Sequence, residues 1–299
     1  VPFMDWVQYW FMFPISICVA TIAMLSGIGG AAYFIPIFAI IFPILGPEYV
    51  QPMVASIAVA LFTETFGFAS GFVGYRRRRL IDYGMAKSFL VFAVPCGIAG
   101  ALLAFVINEE LLKLGYGLLM LILAYVLLKG HSVDEEHIGE DGAIHYNTSY
   151  PIEKRSVTDR DNNTYNYHFH WPRKGGALIG LGGLLTGVLG VGIGEVTLPL
   201  LARRYRVHIP VAAATSILVV IITVMSASFT QFSKMIQEGG INAVPWNLIC
   251  YTVPAVIIGG QIGPRLQGLI ATRKVEMLIG SLFTVIGLAF IWIVSRNFF

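Results

Sequence analysis

The chain is written in long apolar blocks separated by short polar turns. The blocks lie at roughly 9–28, 30–45, 50–73, 84–107, 111–128, 175–193, 195–202, 209–232, 244–264 and 275–294. A helix needs about 20 apolar residues to cross a hydrocarbon core, so most of these blocks predict transmembrane helices. Two fall short. The 30–45 block is marginal and the 195–202 block cannot span. Each follows a glycine cluster and holds a proline, Pro36 and Pro199.

Composition turns this pattern into a class. Of the 299 residues, 56% are hydrophobic and 12% charged, where an ordinary soluble domain carries about 25% charged residues. Fourteen of the charges crowd between Lys129 and Lys174. A soluble fold cannot cover its surface with what is left, and the mean hydropathy of +0.74 agrees. The reading is an all-α polytopic membrane protein. It excludes a soluble enzyme, a nucleic-acid binder and a disulfide-stapled secreted domain. The net charge of +3 is too small to call for a polyanionic partner. Cys18, Cys96 and Cys250 sit inside apolar runs with wide spacings, which fits small packing residues rather than a disulfide or metal pattern. Residues 1–13 lack a basic n-region, so no cleavable signal peptide is expected there.

Lys and Arg orient the spans, because short cytoplasmic loops collect them. Arg76-Arg77-Arg78-Arg79 and Arg203-Arg204-Tyr205-Arg206 mark two inside loops, and Arg265, Arg273 and Lys274 mark a third. The turns at Gly46–Val50 and Asn108-Glu109-Glu110 read as outside. Residues 129–174 then form a polar cytoplasmic loop. It holds five of the six histidines. His168 and His170 near Asp159 and Asp161 form a weak metal pattern, and a solvated loop is the better reading. Thr164 to Trp171 alternates aromatic and polar residues, which suggests a small hairpin.

The two flanking stretches, 1–128 and 175–299, resemble each other. Ser26-Gly27-Ile28-Gly29-Gly30 has Pro36 seven residues after Gly29; Gly190-Val191-Gly192-Ile193-Gly194 has Pro199 seven residues after Gly192. Ala55-Ser56 answers Thr215-Ser216, Ile81-Asp82 answers Ile241-Asn242, and Pro95 with Gly100 answers Pro254 with Gly259. Equivalent loops fall on opposite faces, so the repeats are expected to be inverted. Each would be a glycine-tipped, broken-helix hairpin followed by three transmembrane helices. Inverted repeats belong to secondary transporters, which bind solute near the midplane. Whether residues 9–45 cross twice or re-enter is open at this point.

At each tip the break should present backbone N–H groups and a positive helix end, a place for an anion without buried Arg or Lys. Close packing through small residues is the plainer alternative for any one cluster. The duplication, the matched prolines and the short following helices favour a solute site made by Ser26, Gly27, Gly29, Gly30, Ser56, Gly190, Gly192, Gly194, Thr197, Thr215 and Ser216. Gly97, Gly100, Gly259, Gly260 and Gly263 lack these supports and read as packing glycines. Glu64 and Glu195 are ionisable groups in hydrocarbon, hence candidates for proton coupling. For Glu195 the competing reading is a local cap on the half-helix. The two are not repeat-equivalent. No cofactor, metal or catalytic residue is implied; a Ser–His dyad would lack its base inside the spans.

The residues from Ser26 to Pro36, Ala55-Ser56, Ile81-Asp82, Pro95 and Gly100, echoed from Gly190 through Gly259, resemble the sulfite exporter TauE/SafE family, also called the 4-toluene sulfonate uptake permeases. The resemblance implies a plasma-membrane transporter of small sulfur-containing or organic anions such as sulfite, sulfoacetate or sulfonates, with a small anion and membrane lipid as partners. A passive anion channel is the alternative. The chain departs from the pattern at Gly194-Glu195, where small residues are more usual, and in its long central loop.

Overall fold

The computed structural model describes residues 6–26, 28–49, 51–129, 153–160, 162–169, 173–201, 205, 207–266 and 272–298. Among them the regular structure is helical, with one small β-hairpin.

The first hairpin pairs α1 (Met12–Ser26) with α2 (Ala31–Leu45). Each arm has 15 residues, a rise of about 22 Å against about 30 Å of hydrocarbon. Its two ends meet. The Tyr9 ring stacks on Phe42 at 5.4 Å, and Gln8 Nε2 donates to the Glu48 carbonyl at 3.1 Å. The chain therefore enters and leaves on one side. Pro36 and Pro43 each withhold a backbone N–H, and between them Ile37–Ile41 winds as a π-helix.

The second hairpin pairs α6 (Arg173–Leu189) with α7 (Ile193–Pro199). Pro199 is followed at once by π-helical backbone at residues 200 and 201, as Pro36 is in α2. The matched prolines thus have a matched effect. Both ends of this hairpin also lie together: Phe92 packs over Gly176, and Phe89, one turn earlier, meets the Tyr205 ring at 5.9 Å.

Three helices long and apolar enough to span follow each hairpin: α3 (Met53–Arg77), α4 (Tyr83–Leu103) and α5 (Glu109–Lys129), then α8 (Ile209–Gly239), α9 (Trp246–Leu266) and α10 (Thr272–Phe298). The protein is an all-α polytopic membrane protein.

The hairpins are braced crosswise. α1 lies along α9, and α6 lies along α4. α3 packs on α8 and α9, α4 on α8, and α5 on α10. Exchanging the two halves maps this set of contacts onto itself. The bracing interfaces depend on glycine. A Cβ at Gly259 would stand 2.5 Å from the Ile17 carbonyl oxygen, and one at Gly183 would stand 2.5 Å from that of Ala93. Gly97, Gly100, Gly260 and Gly263 line the same kinds of crossing. Aromatic rings, among them Phe34, Phe38, Phe42, Phe283 and Phe290, fill the interior. Ile122 and Tyr125 on α5, and Leu278 and Val285 on α10, face outward toward lipid. Trp6, Trp10, Trp246 and Trp292 are exposed, as interfacial anchors should be.

β1 (Glu153–Thr158) and β2 (Thr164–Phe169) pair antiparallel, Arg155 opposite Tyr167 and Val157 opposite Tyr165. This is the hairpin that the aromatic–polar alternation suggested. Asp159 closes its turn, accepting from the Asn163 backbone at 2.9 Å and side chain at 3.0 Å. His170 and Asp161, and the side chain of His168, lie outside the described residues. Among the described residues no three His, Cys, Asp or Glu side chains gather as metal ligands.

Candidate solute site at the paired chain breaks

The second break reverses direction on two glycines with positive φ, Gly190 at +81° and Gly192 at +148°. Only glycine enters these regions without strain. The chain then starts α7, whose first amides need acceptors. Glu195 folds back so that its Oε2 accepts from the Gly192 N–H at 3.0 Å. Thr186, one turn before Gly190 on α6, accepts from the Ile193 N–H at 2.7 Å and donates to the Gly182 carbonyl at 2.9 Å.

The first break is held differently. Gly30 has ordinary helical dihedrals. In the following helix the Ala32 and Tyr33 amides turn back to the Gly29 and Gly30 carbonyls, at 3.2 and 3.0 Å, but those of Gly29 and Ala31 take side-chain acceptors from outside the hairpin. Glu64 on α3, a buried residue, accepts from the Ala31 N–H through Oε2 at 3.0 Å. Glu195 Oε1 accepts from the Gly29 N–H at 3.2 Å. Tyr116 on α5, fully buried, donates its hydroxyl to the Ala32 carbonyl at 2.9 Å. Gly27, and the side chain of Ser26, lie outside the described residues.

One carboxylate therefore spans both breaks. Glu195 holds Gly192 with one oxygen and Gly29 with the other. Glu64 closes in on the same point: a Cβ at Gly29 would meet Glu64 Oε1 at 2.8 Å and Glu195 Oε1 at 3.5 Å. Gly190 in turn sits against Ile35 of α2 and Ile57 of α3. Gly29, Gly30, Glu64, Gly190, Gly192 and Glu195 thus form one cluster, although the two glutamates occupy unrelated positions in the repeats. Beside Gly30, Glu64 also borders a narrow apolar crevice between α1, α2, α3 and α9, with room for no more than about a water molecule.

The hydroxyls divide. Ser56 Oγ is buried and has no hydrogen-bond partner among the described residues. Thr197 donates to the Ile193 carbonyl of its own helix at 2.6 Å. Thr215 accepts from the Asp82 N–H at 3.1 Å, and so serves the start of α4 rather than a tip. Ser216 is buried on α8, and Gly194 faces Val220. One expectation is corrected: the half-helix amides are not bare. The polar groups of the chain already fill them, because an amide buried without an acceptor is costly.

Three polar neighbours of the breaks escaped the sequence. Thr186 lies one turn ahead of Gly190, a spacing that could have flagged it. Tyr116 reads as an ordinary span aromatic. Gln231 on α8 donates to the Gly187 carbonyl at 2.9 Å, next to the second break, while its Oε1 is buried without a partner among the described residues.

Two hairpins whose glycine tips meet inside a bundle of apolar helices fit the build of a membrane transporter. The particular family follows from sequence comparison. The model of the family described as Sulfite exporter TauE/SafE matches residues 12–290, and the chain belongs to that family. It is similar to the Probable membrane transporter protein YunE of Bacillus subtilis (strain 168), with 23% identity over 282 residues, 93% of this chain and 95% of that protein. No solved structure matches it. The chain is a multi-pass membrane transporter of the TauE/SafE family.

Proposed function

We propose that the protein carries small sulfur-containing or organic anions, of the sulfite, sulfoacetate and sulfonate kind, across the plasma membrane by alternating access. The paired chain breaks are the solute site. The family description supports the sulfur chemistry. The number of spans supports the geometry: three crossings separate the two hairpins. An odd number makes them open to opposite faces, the arrangement of inverted repeats.

The observation that carries the reading is the placement of Glu195. Its two oxygens take N–H groups from both tips at 3.2 and 3.0 Å. Its carboxyl oxygens take the amides that a solute oxyanion would use. A sulfonate or sulfite brings acceptor oxygens to Gly29 and Gly192 once this carboxylate yields them. A proton on Glu195 begins this: one oxygen becomes an O–H donor and gives up its amide to the solute, while the other stays an acceptor. The buried Ser56 hydroxyl, without a partner among the described residues, is a further donor on α3. Anion entry and proton uptake are then coupled through one side chain, with Glu64 adjusting beside it.

Proteoliposome uptake of sulfite and sulfoacetate, with and without a pH gradient, tests this. Saturable uptake that responds to the gradient, and a Glu195→Gln protein that exchanges anion but ignores the gradient, is the expected result. Equal flux with and without the gradient in the wild type would remove the coupling. A passive channel would keep the tips yet need no carboxylate across them; counterflow of preloaded anion argues against it.

A further inference from the structure

The β-hairpin is a part of the molecule that solute transport leaves unused. Side chains on a strand alternate between faces, and the register puts Arg155, Val157, Tyr165 and Tyr167 on one face. That face is turned in: Tyr167 is buried, and Arg155, Val157 and Tyr165 are partly covered, while Ser156, Thr158, Thr164 and Asn166 are exposed. What it covers is the Arg78–Asp82 turn between α3 and α4. Arg155 donates to both Asp82 oxygens, at 2.9 and 3.2 Å, and the Tyr167 hydroxyl donates to Asp82 Oδ2 at 2.6 Å. The Arg160 N–H reaches the Arg78 carbonyl at 3.1 Å. The Tyr165 ring lies 5.3 Å from that of His208, just ahead of α8.

Asp82 is a junction. Its carboxylate caps α4 through the Met85 N–H at 2.9 Å, and its own N–H goes to Thr215 of α8. Hairpin, α4 and α8 are fastened at one residue. α4 braces the second re-entrant hairpin and α8 follows it, so the fastening closes the side from which that hairpin enters. Burial and the bond to Asp82 push the Tyr167 phenol above its ordinary value, which keeps it a donor. The counterpart turn on the other side, Ile241–Ala243, has Ile241 and Asn242 exposed.

We infer that the β-hairpin is a latch: it ties the starts of α4 and α8 together and must let go of Asp82 before the second chain break opens to its side. The inference rests on the alternating-access reading above.

Hydrogen exchange on the full chain in detergent or nanodiscs tests it without any solute. The proteins are the wild type, an Arg155→Ala/Tyr167→Phe double variant, and Gly84→Leu. A side chain at Gly84 would overlap the Arg155 guanidinium, so this variant displaces that group from its place on Asp82 while leaving Asp82 and the hairpin's residues unchanged and favouring the helix. Exchange across 79–88 and 207–216 should quicken by roughly fivefold or more in both variants, with α5 and α10 unaltered. Faster exchange confined to 153–169, or loss of protection throughout α5 and α10, would overturn the latch. Anion transport that succeeds without an exchange difference removes the latch alone; an exchange difference without anion transport removes only the solute reading.

Discussion

The two chain breaks do the same job by different means. The second is self-sufficient: its positive-φ glycines set the reversal, and its caps, Thr186 and Glu195, belong to the same hairpin. The first has ordinary dihedrals at Gly30 and takes its caps from α3 and from the opposite hairpin. A tip that holds its own shape can serve as a fixed jaw. A tip whose acceptors come from elsewhere changes whenever those acceptors move. The first hairpin is the dependent one, and Glu195 is the residue that joins it to the second.

Removing the shared residue should have the largest effect. Glu195→Ala leaves the Gly29 and Gly192 amides without acceptors, about 1–3 kcal/mol each. Thermal unfolding in detergent should fall by several degrees, and both tips should gain amide exchange. If only α7 loosens, the bridge to the first hairpin is not real.

Backbone substitutions sharpen the contrast next. Gly192→Ala forces a side chain into φ +148° and sets a Cβ 2.9 Å from the Gly182 carbonyl oxygen, a cost of about 1–3 kcal/mol. Gly30→Ala meets nothing closer than 3.8 Å in a helical conformation, so its melting temperature should match the wild type within a degree or two. Equal losses at the two sites would erase the distinction drawn here.

The smallest effect belongs to Thr186→Val. It deprives only the Ile193 N–H of its acceptor, about 1 kcal/mol on the scale of helix caps. The Glu195 bond keeps the second break in shape, so anion exchange should persist with a modest loss of melting temperature.

Much of this plan was written in the linear chain. Apolar blocks of spanning length marked the six long helices, and the glycine clusters with their matched prolines marked both breaks. Those signals are local: a block is long or short, and a glycine permits φ values that other residues avoid. The caps were less legible because they depend on which helix faces which. Glu64 is 33 residues from the amide that it holds, and Glu195 is 166 from Gly29. Nothing in their spacing announces that they converge, and their different positions in the repeats argued against it. Thr215 misled in the opposite way. Its match to Ala55-Ser56 suggested a tip residue, but the Asp82 backbone claims it, because a helix start needs an acceptor as much as a solute needs a donor.

The crosswise bracing has a consequence for biogenesis. α1 lies on α9, whose last residues leave the ribosome long after the first hairpin has been made. Until then the face of α1 around Ile17 and Thr21 has no partner, so the first hairpin waits half-built beside the insertion machinery. The second hairpin has no such delay, since α4 is already in place when α6 emerges. The two hairpins therefore gain their braces in reverse order, and neither half is a finished unit without its complement.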